Sequence, residues 1–270
     1  MLAFSSLLGN VEGQNIYRIW YDKPASYWEE ALPVGNGRIA AMVFGDPQLE
    51  QIQLNEETVS AGSPYQNYNE EAKTALPEMR RLIFEGKYEE AQNMAATKIL
   101  SQVGNEMPYQ TVGRLNIRYQ DHKKVNNYYR DLDISNAVAV ARYEVDGVEF
   151  TEETFASFTD QLVIRHIKAS KPGTINCELF FNTPMRDPKR SIYGKKGLRL
   201  EGITHGSRYF PGKVHYCADL DVKHKGGKVI TANDTLLSVQ GASELTLYIS
   251  MATNFVNYKD ISGDPYQRNK

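Results

Sequence analysis

The sequence is poor in the features that define several classes of protein. Its 270 residues include only two cysteines, too few for the disulfide framework of a small secreted scaffold. It contains no apolar run of about 18 residues, so it predicts no membrane span. The formal net charge is −2 and no basic block occurs, which argues against nucleic acid as a partner.

Cysteine and histidine are too scattered to predict a metal centre. Cys177 and Cys217 each lie in a strand-like run, and the five histidines show no metal-ligand spacing. The sequence therefore predicts no metal site and no cofactor. Buried free thiols are the expected state of the two cysteines, and a disulfide remains the alternative if the protein is exported.

What the chain does have is tyrosine and strand-like patterning. Its 17 tyrosines suit sheet faces, and they also suit sugar-binding surfaces. From Val112 onwards, β-branched and aromatic runs recur about every ten residues, with turn residues such as Asp146-Gly147 between them. The pattern predicts a mainly β fold: a large antiparallel β-sandwich of two sheets, of the super-sandwich type.

One segment changes to helical periodicity and predicts a short helical hairpin inserted at about 69–103. Asn69 and the acidic residues after it form a plausible helix start, and Gly86 divides the run into two helices. We expect this hairpin to cover one end of a sheet. Residues 1–14 resemble a leader or the remnant of a signal peptide, which predicts a disordered start and an exported protein.

The stretch ALPVGNGRIAAMVFG, Ala31 to Gly45, raises the question of whether GNG is a phosphate loop. Such a loop lies between a strand and a helix, but here the residues after Arg38 have the pattern of a strand entering a hairpin. No Lys-Ser pair follows the glycines. The stretch is better interpreted as a turn that uses the conformational freedom of glycine.

The same stretch carries a family resemblance. Together with EQIQLNEETVSAG, it resembles the N-terminal signature of glycoside hydrolase family 95, which contains α-L-fucosidases and some α-L-galactosidases. Further matches are Tyr109-Gln110 with Gly113 and Leu115, the double hairpin 129–157, and ATNFVNYKDISGD at 252–264. The resemblance covers roughly residues 16–264. The chain departs from the family at Ala40-Ala41 and in the tryptophan-free segment 55–62, which leaves other deoxy- or L-sugars open as substrates.

The resemblance implies a domain order and a division of labour. It implies that 15–264 is an N-terminal β-sandwich domain and that 265–270 begins a linker to an (α/α)₆ barrel. In such an enzyme, implied here to be a bacterial, exported exo-glycosidase, the barrel carries out the inverting reaction. None of the barrel motifs occurs here, so we expect no catalytic residue in this chain. The implied partners are a fucosylated glycan and the chain's own catalytic domain. A stand-alone carbohydrate-binding or structural module is the alternative.

Five residues are candidates for substrate binding or for an interdomain contact. Adjacent carboxylates such as Glu56-Glu57 and Glu152-Glu153 point to opposite faces of a strand, so they do not converge on one bond. The GNGR and NEET segments, by contrast, are expected to share a domain edge, with an exposed apolar patch nearby. Arg38 is expected to pair with a carboxylate, and Trp28 is either a sugar-stacking platform or a half-buried core residue. The five candidates are Trp28, Asn36, Arg38, Asn55 and Glu56.

Overall fold

Two antiparallel sheets packed face to face account for most of the chain, which confirms the predicted sandwich. The computed structural model describes residues 17–60, 62, 64, 65, 67–101, 107–206 and 211–269. The predicted leader 1–14 lies outside these residues. The larger sheet has nine strands. Their spatial order is β1 (Arg18–Tyr21), β6 (Val125–Asp133), β7 (Val138–Val145), β8 (Val148–Ser157), β9 (Leu162–Ala169), β16 (Glu244–Thr253), β13 (His215–Lys225), β12 (Gly197–Ile203) and β11 (Arg186–Tyr193).

The smaller sheet has seven strands and contains the stretch with GNG. β3 and β4 pair antiparallel as predicted, with Ile39 opposite Glu56. The spatial order is β14 (Lys228–Asn233), β15 (Leu236–Ala242), β10 (Ile175–Asn182), β5 (Gly113–Tyr119), β4 (Leu49–Glu56), β3 (Ile39–Val43) and β2 (Leu32–Gly35).

Alternating side chains of the two sheets fill the space between them. On β4, for example, Ile52 and Leu54 are fully buried, while Gln51 and Gln53, which alternate with them, are half-buried on the other face. This period of two places every second residue of a strand in the core. Cys177 and Cys217 are both buried and free, so the expected thiols are found and the alternative disulfide is not.

A buried ionic cluster interrupts this apolar core. Arg165 of β9 contacts Glu152 of β8 and lies 3.5 Å from Glu50 of β4, so it bridges the two sheets. Tyr143 donates a 2.8 Å hydrogen bond to Glu152, and Tyr119 donates another. Burial raises the pKa of Glu50 to about 7, and Arg165 opposes that shift.

The helical insertion follows β4, as predicted, but it packs mainly on itself. It consists of α1 (Ala72–Phe84), α2 (Tyr88–Met94) and a π-helical turn (Ala95–Ile99). Only Leu82 and Ala91 of α1 and α2 are buried, whereas Phe84 and Tyr88 are largely exposed. A hairpin that covered a sheet end would bury a whole apolar stripe. Among the described residues, no helix is long and apolar enough to span a membrane.

Candidate site at the sandwich edge

The GNGR segment forms the turn between β2 and β3. Asn36 stabilises this turn, because its Oδ1 accepts hydrogen bonds from the backbone N–H groups of Arg38 (3.0 Å) and Ile39 (2.9 Å). Gly37 adopts φ +96°, a conformation that favours glycine. No helix follows the glycines, so the turn interpretation of GNG is supported over the phosphate loop.

The side chains of this turn reach the other sheet. Asn36 Nδ2 donates to the carbonyl of Ser157 at 2.8 Å, at the end of β8. Arg38 Nε donates to Gln161 Oε1 at 2.7 Å, in the turn between β8 and β9. Arg38 Nη1 donates to the carbonyl of Met251 on β16 at 2.9 Å. The turn of the seven-stranded sheet is thereby joined to two strands of the nine-stranded sheet, β8 and β16, and to the turn between β8 and β9.

Glu56 supplies the carboxylate that Arg38 was expected to find. Its Oε1 lies 3.4 Å from Arg38 Nη1, and its Oε2 accepts from the backbone N–H (2.8 Å) and hydroxyl (2.6 Å) of Thr58. Burial raises the pKa of Glu56, against the hydrogen bonds from Thr58 and the charge of Arg38. Thr58 in turn hydrogen-bonds the hydroxyl of Thr253 on β16. We call this group the edge cluster; it comprises Asn36, Arg38, Glu56, Thr58, Gln161 and Thr253.

The structure separates the other two candidates from this cluster. Asn55 lies next to Glu56 on β4 and is half-buried, but its side chain points to the opposite face of the strand. Trp28 lies in a 3₁₀ turn at the other end of β2 from Asn36, and its side chain is half-exposed. Three of the five candidates therefore meet, and Asn55 and Trp28 do not join them.

Sequence reasoning missed Gln161, Thr58 and Thr253 as members of the cluster. Gln161 is 123 residues from Arg38 and Thr253 is 195 from Thr58, so no local pattern could pair them. Gln161 also adopts φ +57°, which is uncommon outside glycine. The only sequence signal was the predicted hairpin that ends in this turn.

The C-terminal helix α3 (Pro265–Arg268) lies at the same edge. Asp264 caps it by accepting the backbone N–H of Tyr266 at 2.8 Å. Arg268 donates to the carbonyls of Thr253 (3.3 Å) and Phe255. Because Thr253 also belongs to the edge cluster, the last described residues contact the same strand end as the GNGR and NEET segments.

Exposed apolar side chains surround the edge cluster, where an apolar patch was expected. Phe158, in the turn that holds Gln161, is 75% exposed, and Tyr258, beyond the end of β16, is 76% exposed. Tyr109 is 54% exposed and donates to the carbonyl of Glu56 at 3.1 Å. A neighbouring cavity of about 360 Å³ is lined by residues that include Ser60, Tyr65, Met107, Phe255 and Tyr258.

The edge cluster holds the two sheets together through hydrogen bonds and one ion pair, and it does not have the pair of carboxyl groups that glycoside hydrolysis needs. Its single carboxylate, Glu56, is held by Arg38 and Thr58. Inverting glycoside hydrolysis requires two carboxyl groups about 6.5–9.5 Å apart across a pocket. In the part of the chain that the structure describes, no group of three or more His, Cys, Asp or Glu side chains could hold a metal ion.

Comparison with protein families identifies the family of this chain. The family described as glycosyl hydrolase family 65, N-terminal domain, matches residues 19–258, so the chain belongs to that family. This confirms the prediction of an N-terminal domain of a glycoside hydrolase.

Two curated proteins that this chain resembles are named as fucosidases. α-L-Fucosidase 2 of Arabidopsis thaliana is 31% identical over 91% of this chain and 31% of its own length. A probable α-fucosidase A of Aspergillus niger is 26% identical over 88% of this chain and 30% of its own length. Among solved structures, a putative kojibiose phosphorylase from the human microbiome has a TM-score of 0.49 at 9% identity, covering 96% of this chain and 34% of that chain.

Proposed function

We propose that this chain is the non-catalytic N-terminal sandwich of an inverting exo-glycosidase, an α-L-fucosidase that acts on fucosylated glycans. In this role it packs against a catalytic barrel in the same polypeptide and supports it. The observation that carries the proposal is that several features of a domain contact lie at the same edge of the sandwich. The edge cluster, the exposed Phe158 and the C-terminal helix α3 all lie at one end of the sandwich, around Thr253 and Gln161.

The relatives support the same division of labour. The chain spans about a third of the length of the curated fucosidases that it matches. Substrate contact, as well as packing, is part of the proposal, because ligand sites favour domain interfaces. Asn36, Arg38 and Glu56 are the residues proposed to brace the neighbouring domain, while Asn55 and Trp28 remain candidates for separate contacts. Export of the protein is a further part of the proposal and follows from the sequence of residues 1–14.

The test compares the hydrolysis of an aryl α-L-fucoside by this chain and by a longer polypeptide of the same gene. We expect turnover only from the longer polypeptide. Turnover by this chain alone would overturn the non-catalytic role. Inactivity of both on the fucoside, with hydrolysis of another aryl glycoside by the longer one, would overturn the fucosidase assignment and leave the supporting role standing.

The role of the edge is tested by Arg38→Ala in the longer polypeptide, with Arg118→Ala as the matched control. Arg118 lies on β5 of the same sheet and forms an exposed pair with Glu178 at 3.1 Å. Arg38→Ala is expected to loosen the edge and lower both activity and thermal stability, whereas Arg118→Ala is expected to change neither much. Equal behaviour of the two variants would contradict the bracing role of the edge cluster.

A further inference from the structure

A second concave site lies on the outer face of the nine-stranded sheet, on the face opposite the core. It is a groove of about 560 Å³. That volume lies within the range of small-molecule sites. Its floor follows one register row across five adjacent strands. From β9 to β11 the row reads Ile164, Tyr248, Asp221, Gly197 and Tyr193.

The row is held rigidly because its neighbours are buried. Tyr248 lies between Leu247 and Ile249 on β16, both fully buried, so the tyrosine must face outwards. Gly197 keeps the floor flat: a Cβ there would lie 2.3 Å from the carbonyl oxygen of Leu220 and 3.3 Å from the ring of Tyr193. Four strand spacings of about 4.8 Å give the row a length of about 19 Å.

One buried polar atom in the lining of the groove has no hydrogen-bond partner. Asn269 is 8% exposed, and its Nδ2 donates to Asp219 Oδ2 at 2.9 Å. Its Oδ1 is buried, lacks a hydrogen bond, and belongs to a residue that lines the groove. A buried acceptor without a donor costs about 1–3 kcal/mol, so a ligand hydroxyl that donates to it would be favoured.

The charges of the groove select against anions. Three aspartates line it (Asp160, Asp219 and Asp221). Arg199 neutralises Asp219 through two hydrogen bonds of 2.6 and 2.7 Å, and Lys223 lies 4.9 Å from the centre of the Tyr248 ring. One carboxylate therefore remains in excess. Carboxylates and an amide oxygen accept hydrogen bonds from hydroxyl groups, and tyrosine rings pack on apolar C–H faces.

We propose that this groove binds a neutral oligosaccharide, with Tyr248 under a sugar ring and with Asp221 and Asn269 accepting hydrogen bonds from its hydroxyl groups. A sugar ring combines an apolar face with a rim of donors, which matches this combination of aromatic floor and acceptors. The length of the row suits several linked rings. The groove lies within the described chain and needs no second domain, and it borders the edge proposed above to face the barrel, because Asp160 adjoins Gln161 and Asn269 follows α3.

The test is a calorimetric titration of this chain with fucosyllactose and with sialyllactose, a neutral and an anionic trisaccharide on the same lactose core. We expect fucosyllactose to bind about tenfold more tightly, a difference of about 1.4 kcal/mol. Asp221→Asn removes the excess charge and is expected to narrow that preference. Binding of both sugars with equal affinity would overturn the charge argument, and no heat from either sugar with a folded chain would overturn the proposal.

Paired tyrosine variants locate the site. Tyr248→Ala is expected to weaken fucosyllactose binding at least about tenfold, or 1.4 kcal/mol. Tyr129→Ala is the control, because Tyr129 is a half-buried tyrosine on β6 of the same sheet, outside the groove, stacked on Trp20. Circular dichroism confirms that each variant is folded. Equal losses in both variants, or no loss in Tyr248→Ala, would overturn the assignment to this groove. So would a longer polypeptide in which other residues cover the groove and no sugar binds there.

Discussion

Arg38 lies where the two sheets meet, and its guanidinium has three partners that are remote in sequence: Gln161, Glu56 and the carbonyl of Met251. The fork of donors in arginine suits such divergent acceptors better than the single ammonium of lysine. Removing it leaves Glu56, which is 4% exposed, with only Thr58 for compensation.

Arg38→Ala is therefore expected to lower the free energy of unfolding by about 1–3 kcal/mol, because a buried carboxylate loses its charged partner. Arg38→Lys should recover only part of that loss. Arg118→Ala removes an exposed pair and is expected to cost less than about 1 kcal/mol. Denaturant unfolding of the three variants measures these differences. A change for Arg38→Ala no larger than that for Arg118→Ala would contradict the structural importance of the edge cluster.

Glu50 makes the stability of the folded chain depend on pH. Its pKa is about 7 in the folded chain, against 4.5 for a carboxyl of its type in water. Since the folded pKa is the higher one, the folded state binds the extra proton between those values. The contribution of Glu50 to stability is thus fully present below pH 4.5 and is lost as the pH rises through about 7.

Glu50→Gln, which mimics the protonated carboxyl, is expected to match the wild type near pH 4.5 and to be more stable at pH 8, by roughly 1–3 kcal/mol. Unfolding curves across that pH range measure the difference between the two proteins. Glu90→Gln, at an exposed position on α2, controls for the loss of one charge. A Glu50→Gln protein that is less stable than the wild type at pH 8 would show that the attraction of Arg165 outweighs burial.

At the scale of elements, the helical insertion is nearly independent of the sandwich. Ser60 and Tyr109 form a β-bridge across its base, so the sheet is closed below it. Replacing residues 68–101 with a short Gly-Ser linker is expected to preserve the strand signal and cooperative unfolding, because the insertion packs mainly on itself and a shorter flexible loop has no larger closure entropy to overcome. Circular dichroism during heating tests this. Loss of the cooperative transition would show that the hairpin is part of the folding unit.

A matched pair of leucines refines that prediction. Leu54→Ala is expected to lower the free energy of unfolding of the sandwich by about 2–5 kcal/mol, since Leu54 is fully buried in the core. Leu82→Ala affects a residue buried within the hairpin and is expected to leave the sandwich transition almost unchanged. Similar losses in both variants would place the hairpin inside the cooperative core.

The sequence predicted most strands, because turn residues and period-two patterning are local. The hairpin at Asp146-Gly147 is one example: both residues have positive φ, as the turn between β7 and β8 requires. Two edge strands were missed. β11 carries Arg186, Lys189 and Arg190 on a segment whose first six residues are exposed, and β2 is only four residues long and contains Pro33, so neither has the sequence signal of a typical strand.

The site was less predictable than the fold. The GNGR and NEET segments are close in sequence, and their meeting could be foreseen from the hairpin that joins them. The contribution of Gln161 and Thr253 depends on which strands pair across the molecule, and a single sequence does not reveal that order. The separation of Asn55 follows from the alternation along β4 and could have been deduced.

At the scale of the whole molecule, both thiols are buried, Cys177 in the core between the sheets and Cys217 against Asn269 on the outer face of the nine-stranded sheet. Burial raises the pKa of Cys217 to about 12 and also raises that of Cys177, so little thiolate is present at neutral pH. We expect neither thiol to react with a disulfide reagent in the folded protein, and both to react together on unfolding. Spectroscopic titration in native buffer and in guanidinium measures this. Fast reaction of one thiol in native buffer would reveal local opening at its strand.

The two edge strands that the sequence did not predict, β2 and β11, affect how the protein associates in concentrated solution. An unpaired strand is a template on which another chain can add and start a fibril. At β11, an incoming strand would have to desolvate Lys189 and Arg190, and at β2 it would meet a proline that has no backbone N–H to donate. At these two margins the sandwich is therefore protected against growth by strand addition.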